Sequence, residues 1–356
     1  MTTPHLRQDL ASMPAYKAGA TPKAKPGLET FKVSANENPY APIPAIVDAI
    51  TKAAQSVQRY PDPASIRLRT KLANKYKVNI ENIQVGTGSV AVLTQLIQAS
   101  STVGNEVVFA WRSFEAYPII TKVAGAKPVM VPLTKTFEHD LDAMAKAITD
   151  KTSCVLLCSP NNPTGPAIKK EAFLKFIKQV PETVLVVLDE AYTEFVRDED
   201  AVEGMRDAWK KPNVAILRTF SKAYGMAGLR VGFCIAQPHV IETLNKVALT
   251  FGVTNIAEEA GLAALDNEAE LLQRIDMLVQ ERSRIVSELT KQGWNLAKAD
   301  GNFIWLDLKE KAIDFATKCE ELGLSVRVFA NDGVRVTIAE KTANDRLLEI
   351  CLKFQD

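Results

Sequence analysis

The feature that most constrains the fold is a series of short apolar segments that alternate with stretches of helical periodicity. The segments cover residues 107–110, 153–158, 184–188, 214–217 and 231–236. The run at 184–188 is rich in valine, which is typical of a strand buried on both faces. Strands that alternate with helices form a mostly parallel sheet with helices on both faces. The sequence therefore predicts an α/β fold.

The pattern changes near residue 253, which predicts a second and smaller unit. A long helical region at 256–292 leads into short strands at 303–307, 325–328 and 334–338, with helices at 312–322 and 345–354. This succession predicts an α+β domain. We therefore expect an N-terminal arm over residues 1–30 that packs with the small domain, a large domain over 31–252 and a small domain over 253–356. Within the large domain, helices are predicted at 43–57, 65–77 and 89–99, with Ser89 as an N-cap.

Composition excludes several classes of protein. The 356 residues include 43 Lys and Arg against 42 Asp and Glu, without a basic stripe or an acidic tail. We therefore expect no nucleic-acid partner. No apolar run approaches the length of a membrane span, and residues 1–10 lack the apolar stretch of a signal peptide. Five scattered cysteines suit neither a disulfide framework nor zinc, and three histidines make a metal site or a histidine triad improbable. These features predict a cytoplasmic enzyme.

Three of the predicted strands lead into polar residues that could serve one ligand. Asn162 follows the second strand, Asp189 the third and Lys222 the fourth. Open α/β sheets bind ligands at the carboxyl ends of their strands. Each residue also has a plainer interpretation, namely a turn asparagine, a helix N-cap and a surface lysine. Their order and spacing favour a single site.

The segment around Lys222, residues 218–232, suits a phosphate-bearing aldehyde cofactor. The lysine amine can form a Schiff base with the aldehyde. Thr219 and Ser221 can donate hydrogen bonds to the phosphate, and the Arg230 guanidinium can bind it with its planar fork.

Other residues could complete this cofactor site. The Gly-Thr-Gly-Ser sequence at 86–89 would place the backbone N–H groups of Ser89 and Val90 at a helix N-terminus, although the same sequence could be a simple turn. Asp189 could pair with a protonated pyridine nitrogen and keep the ring an electron sink. Tyr192 and Asn162 could hydrogen-bond the ring oxygen.

Taken together, these motifs resemble fold-type-I pyridoxal-phosphate aminotransferases of the histidinol-phosphate aminotransferase group. The resemblance extends over almost the whole chain, and its motifs are specific jointly although each is weak alone. They lie at residues 34–39 (Ser-Ala-Asn-Glu-Asn-Pro), 59–62 (Arg-Tyr-Pro-Asp), 159–165 (Ser-Pro-Asn-Asn-Pro-Thr-Gly), 188–192 (Leu-Asp-Glu-Ala-Tyr), 218–232, 299–305 and 333–338.

The resemblance implies further roles at the substrate end of the site. Arg335, in an alternating strand, matches the arginine that binds the substrate carboxylate with two hydrogen bonds. Arg327 is a second candidate cation. Asn36 and Tyr16 lie in the region that closes over the substrate in this family.

The resemblance also implies contacts to the cofactor ring and a homodimer. Phe114 aligns with the aromatic residue that stacks on the pyridine ring, and Trp111 is a rival for this role. Tyr60 resembles the tyrosine that reaches the cofactor phosphate of the neighbouring subunit. An internally packed Tyr-Pro turn is the alternative.

Two departures from the group's usual pattern bear on substrate choice. Residues 86–91 lack the usual pair of acids, and residues 110–118 replace a Pro-Thr-Tyr loop. Both resemble the aromatic amino-acid (phenylalanine) aminotransferase branch. The expected reaction is a ping-pong transfer between phenylalanine, tyrosine or tryptophan and a 2-oxo acid such as 2-oxoglutarate, with Lys222 moving the Cα proton. Histidinol-phosphate aminotransferase is the alternative, followed by a decarboxylase or lyase and by a non-catalytic cofactor-binding protein.

Overall fold

The computed structural model describes residues 4–11 and 13–354. Residues 1–3 and Ser12, which belong to the predicted arm, lie outside the described residues, as do residues 355 and 356. The described strands are β1 (Phe31–Lys32), β2 (Ile83–Gly86), β3 (Glu106–Trp111), β4 (Lys127–Pro132), β5 (Thr152–Cys158), β6 (Leu185–Asp189), β7 (Val214–Thr219), β8 (Gly232–Ile235), β9 (Phe303–Leu306), β10 (Leu324–Ser325), β11 (Arg327–Phe329) and β12 (Gly333–Thr337).

Helices separate most of these strands, as the alternating pattern predicts. The described helices are α1 (Gln8–Ala11), α2 (Pro44–Ala54), α3 (Ile66–Tyr76), α4 (Gly88–Ser100), α5 (Ala116–Val123), α6 (Leu141–Lys146), α7 (Lys170–Ile177), α8 (Gly204–Asp207), α9 (Pro238–Val247), α10 (Asn255–Asp266), α11 (Glu268–Lys291), α12 (Ala312–Glu321) and α13 (Lys341–Phe354). Across residues 4–11 and 13–354, no helix combines the length and apolar character that crossing a membrane requires.

A seven-stranded sheet, in which most neighbouring strands are parallel, forms the centre of the molecule. Its strand order is β2-β8-β7-β6-β5-β3-β4, and β8 pairs antiparallel with both of its neighbours. The other pairs are parallel. The predicted α/β fold is confirmed.

Both faces of this sheet are covered. Val107 and Phe109 belong to one buried apolar cluster, whereas Val108 and Ala110 on the same strand belong to another. Successive side chains of a strand point to opposite faces, so the alternation places an apolar layer on each side. This double burial explains why the central strands are continuously apolar in sequence.

Some elements differ from their predicted form. The edge strand β4 was not predicted, because its two prolines and its partly exposed side chains obscure the strand pattern. The short strand β2 was also missed. Helix α4 begins at Gly88 with Thr87 as the N-cap, so the prediction of Ser89 as N-cap is wrong. The long helical region divides at Asn267 into α10 and α11.

A second, antiparallel sheet in the order β11-β12-β9 lies in the C-terminal part of the chain. The N-terminal segment contributes to a separate two-stranded sheet, in which β1 pairs in parallel with β10. The Ser325 hydroxyl donates to the carbonyl of Ala20, and the Arg327 guanidinium donates to that of Ala18. Helix α10, from the predicted small domain, packs against α2 of the predicted large domain. The packing of the arm with the small domain stays a prediction. The domain boundary at residue 253 stays a prediction.

Burial of His139 predicts a loss of stability in acid. Neither of its ring nitrogens has a hydrogen-bond partner among the described residues, and burial lowers its pKa to about 4. In the unfolded chain His139 is protonated below about pH 6.5, whereas in the folded chain it is protonated only below about pH 4. The free energy of unfolding therefore decreases as the pH falls from about 6.5 to about 4. Between pH 7.5 and pH 5, we expect His139→Phe to reduce that fall by about 2 kcal/mol. Urea unfolding at pH 7.5 and pH 5 measures it, and an unchanged pH dependence would contradict the prediction.

Candidate active site

A cavity of about 250 Å³ opens at the carboxyl ends of β5, β6 and β7 and extends to β12. All predicted site residues line it except Asn36 and Tyr60. Parallel strands end at the same edge of a sheet, which is why residues distant in sequence meet here.

Asp189 ends β6 with its carboxylate buried in the cavity wall. The Tyr117 hydroxyl donates a 2.8 Å hydrogen bond to Asp189 Oδ2, and the backbone N–H of Ala191 donates to Oδ1 at 3.2 Å. Burial nevertheless raises the Asp189 pKa to about 6. A cation beside this buried carboxylate, such as a protonated ring nitrogen, would stabilise its ionised form.

The Lys222 amine lies in the same cavity under conditions that favour its neutral form. It donates to the carbonyl oxygens of Ala35 and Asn36, each at 3.2 Å. Burial, followed by the nearby positive charge of Arg335, lowers the Lys222 pKa to about 7. An unprotonated amine is the form that attacks an aldehyde and accepts a proton.

Asn36 supports the cavity from behind its wall. This buried residue donates from Nδ2 to the Tyr192 hydroxyl at 2.9 Å and accepts from the Thr337 hydroxyl at 3.0 Å. The Tyr192 oxygen thus already accepts a hydrogen bond, so its own proton is left to be donated into the cavity. Burial raises the Tyr192 pKa, which keeps the hydroxyl protonated.

The far end of the cavity has the geometry of an anion site. Arg230 Nη1 donates to the Ser221 hydroxyl at 3.3 Å, beside the first turn of α4 that carries Ser89 and Val90. The Thr219 hydroxyl accepts the Ser221 backbone N–H at 3.1 Å.

Two glycines keep this end open. A Cβ at Gly88 would lie 2.4 Å from the Arg230 Nη2 atom, and one at Gly232 would lie 2.3 Å from the Ser89 nitrogen. Any side chain there would fill the cradle, so the local backbone suits a phosphate group held by N–H groups and a guanidinium.

Arg335 is a buried residue that lines the cavity. Its Nη1 atom donates to Asn162 Oδ1 at 2.5 Å and its Nη2 atom to the Ser34 carbonyl at 2.6 Å. Its Nε has no partner among the described residues, and no described carboxylate forms an ion pair with it. An incoming carboxylate therefore meets a guanidinium with unmet hydrogen-bonding capacity. Because Oδ1 of Asn162 is engaged, its amide nitrogen is the atom left to donate into the cavity.

Among the aromatic candidates, the structure distinguishes Phe114 from Trp111. Phe114 lines the cavity and contacts Tyr117 edge-on, with ring centroids 5.6 Å apart. Trp111 instead lines a neighbouring cavity, with the Arg112 guanidinium 4.8 Å from its ring centroid. Of the two, only Phe114 is placed to meet a ring in the main cavity.

Tyr60 does not reach the cavity of its own chain. Its side chain is 82% exposed and stacks on Phe251, with ring centroids 4.7 Å apart. A contact from Tyr60 to a cofactor therefore requires a second copy of the chain.

Sequence reasoning missed Glu115, which lines the cavity, and Tyr117, which is buried behind Asp189. Tyr117 lies in the first turn of α5, three positions after Phe114, which comes just before the helix. That spacing was the available signal. Glu115 carried none, because its partner, Arg327, lies far away in sequence.

The fold and this cavity define a class of protein. Three features fit pyridoxal 5'-phosphate: the anion site kept open by Gly88 and Gly232, the Lys222 amine with its lowered pKa, and the buried Asp189. The sheet is that of the fold-type-I enzymes, which depend on this cofactor. The chain belongs to the class I and II aminotransferases, whose family model matches residues 29–350. Members of this family use pyridoxal phosphate to move amino groups between small amino acids and oxo acids.

Individual relatives cover nearly the whole chain. It is 50% identical over 354 residues to an aromatic amino acid aminotransferase of Streptomyces coelicolor, a match that covers 99% of this chain and 98% of the relative. The corresponding protein of Streptomyces avermitilis is 49% identical with the same coverage. The histidinol-phosphate aminotransferase of Sinorhizobium meliloti, solved in complex with pyridoxal-5'-phosphate, superposes with a TM-score of 0.86 at 26% identity, covering 99% of this chain and 98% of that one.

The hydrogen bond from the Tyr117 hydroxyl leads to a testable prediction about the pKa of Asp189. In Tyr117→Phe, Asp189 loses a hydrogen bond that lowers its pKa, so the pKa should rise above 6 by roughly one unit or more. Cofactor binding to the cofactor-free protein, measured against pH, should show its midpoint shifted upward. Tyr40→Phe, outside the cavity, is the control, and equal midpoints in wild type and Tyr117→Phe would contradict the prediction.

Proposed function

We propose that this enzyme transfers amino groups between aromatic amino acids and a 2-oxo acid. The observation that carries the proposal is the 50% identity, over 99% of the chain, to a relative named for aromatic amino acids. Phenylalanine, tyrosine and tryptophan are the expected donors.

The walls of the cavity support a substrate with an apolar ring. Tyr16 contacts Phe114 edge-on, with ring centroids 6.3 Å apart, and Phe329 lines the same region. Aromatic rings pack favourably edge-on or offset against one another, by about 0.5–1.5 kcal/mol per pair beyond the area buried.

The roles of the chain's own residues follow from their positions. Bound pyridoxal phosphate supplies an aldehyde that takes up the substrate amino group and a ring that accepts the electrons left when the Cα proton departs. Lys222 Nζ would remove the Cα proton from the substrate and would then donate it to the cofactor carbon, acting first as general base and then as general acid. Asp189 holds a proton on the ring nitrogen, and Arg335 orients the substrate carboxylate.

The remaining residues hold the cofactor in this proposal. Asn162 and Tyr192 donate hydrogen bonds to the ring oxygen. Phe114 covers the ring face. The phosphate is bound by Thr219, Ser221, Arg230 and the backbone N–H groups of Ser89 and Val90.

We also propose a homodimer in the cytoplasm. Tyr60 and Phe251 form an exposed aromatic pair outside the cavity, a surface suited to a partner subunit. All five cysteines are free and buried, which agrees with a reducing compartment. Tyr60→Phe should weaken cofactor binding without changing the sedimentation coefficient if its hydroxyl reaches the neighbouring phosphate. Unchanged cofactor affinity would argue against that contact.

Single-turnover half-reactions test the substrate class. The cofactor-loaded protein is mixed with phenylalanine, tyrosine, tryptophan or histidinol phosphate at equal concentration, and cofactor absorbance is followed. We expect fast conversion by the aromatic amino acids and slow conversion by histidinol phosphate. The reverse order would favour the alternative function, histidinol-phosphate aminotransferase, for which the Sinorhizobium meliloti protein is named.

A further inference from the structure

Strand β12 carries a buried threonine, Thr337, that no step of the proposed mechanism uses. Its hydroxyl oxygen accepts the backbone N–H of Asn36 at 2.9 Å, and its hydroxyl proton is donated to Asn36 Oδ1 at 3.0 Å. The acceptor and the donor of this hydroxyl are therefore both used by one residue. Asn36 is itself buried behind the cavity wall.

Thr337 and Arg335 are alternate residues of β12, so their side chains point to the same face of the strand. Both residues contact the segment 33–36. Arg335 Nη2 donates to the Ser34 carbonyl at 2.6 Å, and the backbone N–H of Thr337 donates to the Val33 carbonyl at 2.9 Å. Strand β12 thus holds this segment at several points beside the cavity.

The side-chain amide of Asn36 has two possible orientations, and Thr337 selects one of them. A hydroxyl that accepts one hydrogen bond still has its proton to donate, and only the oxygen of an amide can accept that proton. Asn36 Oδ1 therefore faces Thr337, and Nδ2 donates to the Tyr192 hydroxyl oxygen at 2.9 Å. In the reversed orientation, the threonine proton would lose this acceptor and the tyrosine proton would be donated to Asn36.

Asparagine suits position 36 for two reasons. Its backbone φ is 53°, in the left-handed region that asparagine adopts more readily than most residues. Its side chain also combines an acceptor and a donor in one planar group. A proton that Thr337 donates on one side is thus followed by a proton that Asn36 donates to Tyr192 on the other. The result is a directed chain of donors from β12 to the cavity.

The other residue proposed to donate to the ring oxygen is oriented in the same way. Arg335 Nη1 donates to Asn162 Oδ1 at 2.5 Å, which leaves the amide nitrogen of Asn162 to donate into the cavity. Asn162 and Tyr192 both line the cavity. Two neighbouring residues of one face of β12 therefore determine the orientation of two amides, and each orientation leaves a proton for the cavity.

We propose that Thr337 is a positioning residue for the cofactor: through the amide of Asn36, it directs the hydroxyl proton of Tyr192 towards the ring oxygen. The inference rests on the proposed function, in which Tyr192 donates to that oxygen. Thr337 is not among the described residues that line the cavity, so it acts through the other two. Without its hydroxyl, the amide of Asn36 can reverse, and Tyr192 then donates to Asn36 instead of the cofactor.

Two ligands that differ only in the ring oxygen test the proposal. Pyridoxamine 5'-phosphate and its 3-deoxy analogue both lack the aldehyde, so neither bonds covalently to Lys222. Their dissociation constants are measured by titrating the cofactor-free protein, and the ratio of analogue to parent reports the contacts of the ring oxygen. Thr337→Val keeps the shape of the side chain and removes the hydroxyl. We expect it to lower this ratio by about 10-fold, which corresponds to the loss of one hydrogen bond.

Controls separate this effect from a general loss of structure. Thr337→Ser keeps the hydroxyl and should keep the ratio near its wild-type value. The matched control is Thr121→Val, which removes a buried hydroxyl on α5 that has no partner among the described residues, and it should leave the ratio unchanged. A loosened fold in Thr337→Val would weaken both ligands alike and cancel in the ratio.

Two further variants complete the test. If Thr337→Val does not fold, Asn36→Asp takes its place: both carboxylate oxygens accept, so Tyr192 donates to them and the ratio should again fall. Tyr192→Phe removes the donor itself and should lower the ratio at least as much as Thr337→Val.

The outcomes distinguish this inference from the function on which it rests. A lowered ratio in Tyr192→Phe, with a wild-type ratio in Thr337→Val or in the Asn36→Asp variant that replaces it, would overturn the role of Thr337 alone. An unchanged ratio in Tyr192→Phe would overturn the role of Tyr192 and this inference with it. Failure of the aromatic function would appear separately, as slow conversion by phenylalanine in single turnovers of the wild type.

Discussion

Alanine in place of Lys222 is expected to lower the rate of amino-group transfer by about 10³-fold or more. The amine is proposed both to hold the aldehyde and to move the Cα proton, and general acid–base catalysis alone contributes up to about 10⁴-fold. The lysine pKa of about 7 places a large fraction of the amine in its reactive form near neutral pH. Single-turnover conversion of phenylalanine measures the loss.

Controls separate this chemistry from a structural effect. Lys246→Ala removes an exposed lysine on α9 and should retain full activity. Small primary amines added to Lys222→Ala should restore part of the proton transfer, because the deletion leaves space in the cavity. A variant that binds the cofactor yet keeps wild-type turnover would exclude Lys222 from catalysis.

Replacing Asp189 with asparagine should have opposite effects on activity and stability. Activity is expected to fall by about 10²-fold or more, because the neutral amide no longer holds a proton on the ring nitrogen. The cofactor-free protein should become more stable at pH 8 by about 2 kcal/mol. The raised pKa of about 6, against an ordinary 3.8, corresponds to roughly 3 kcal/mol, and loss of the hydrogen bond that Tyr117 donates to Oδ2, which an amide nitrogen cannot accept, offsets about 1 kcal/mol.

The stabilisation should depend on pH in a defined direction. The folded-state pKa of Asp189 lies above its unfolded value, so protonation stabilises the fold below about pH 4, and this contribution is lost as the pH rises through 6. The gain in Asp189→Asn should therefore appear above pH 6 and shrink towards pH 4. Urea unfolding of the cofactor-free protein at both extremes measures it. Asp150→Asn, at an exposed site, is the control, and a gain independent of pH would contradict the explanation.

The ends of the central strands were predictable because a local pattern and a general rule act together. A buried strand reveals itself as an apolar run, and the parallel topology brings the carboxyl ends to one edge. Asn162, Asp189 and Lys222 therefore came together in the predicted cavity. Arg335 followed from the family resemblance, and its carboxylate-binding role stays a prediction.

What could not be predicted depends on contacts between distant segments. The Tyr117 hydroxyl on α5 donates a hydrogen bond to Asp189 at the end of β6. The Glu115 carboxylate, just before α5, accepts one from Arg327 on β11. Nothing in the local sequence of α5 encodes these partners. The edge strand β4 was missed for a different reason, since an exposed strand with prolines lacks the continuous apolar signal of its neighbours.

The pairing of β1 with β10 has a consequence for synthesis of the chain. Phe31 pairs with Leu324, and the segment after β1 supplies Ser34, Ala35 and Asn36 to the cavity and its support. At about 5–20 residues per second, a ribosome needs on the order of 15–60 s to make the partner of β1. All strands of the central sheet, which end at Ile235, have been synthesised before then. The partner strand that positions the segment after β1, next to Lys222 and Arg335, has not. The nascent chain therefore contains every strand of the central sheet before it contains all the residues that complete the catalytic centre.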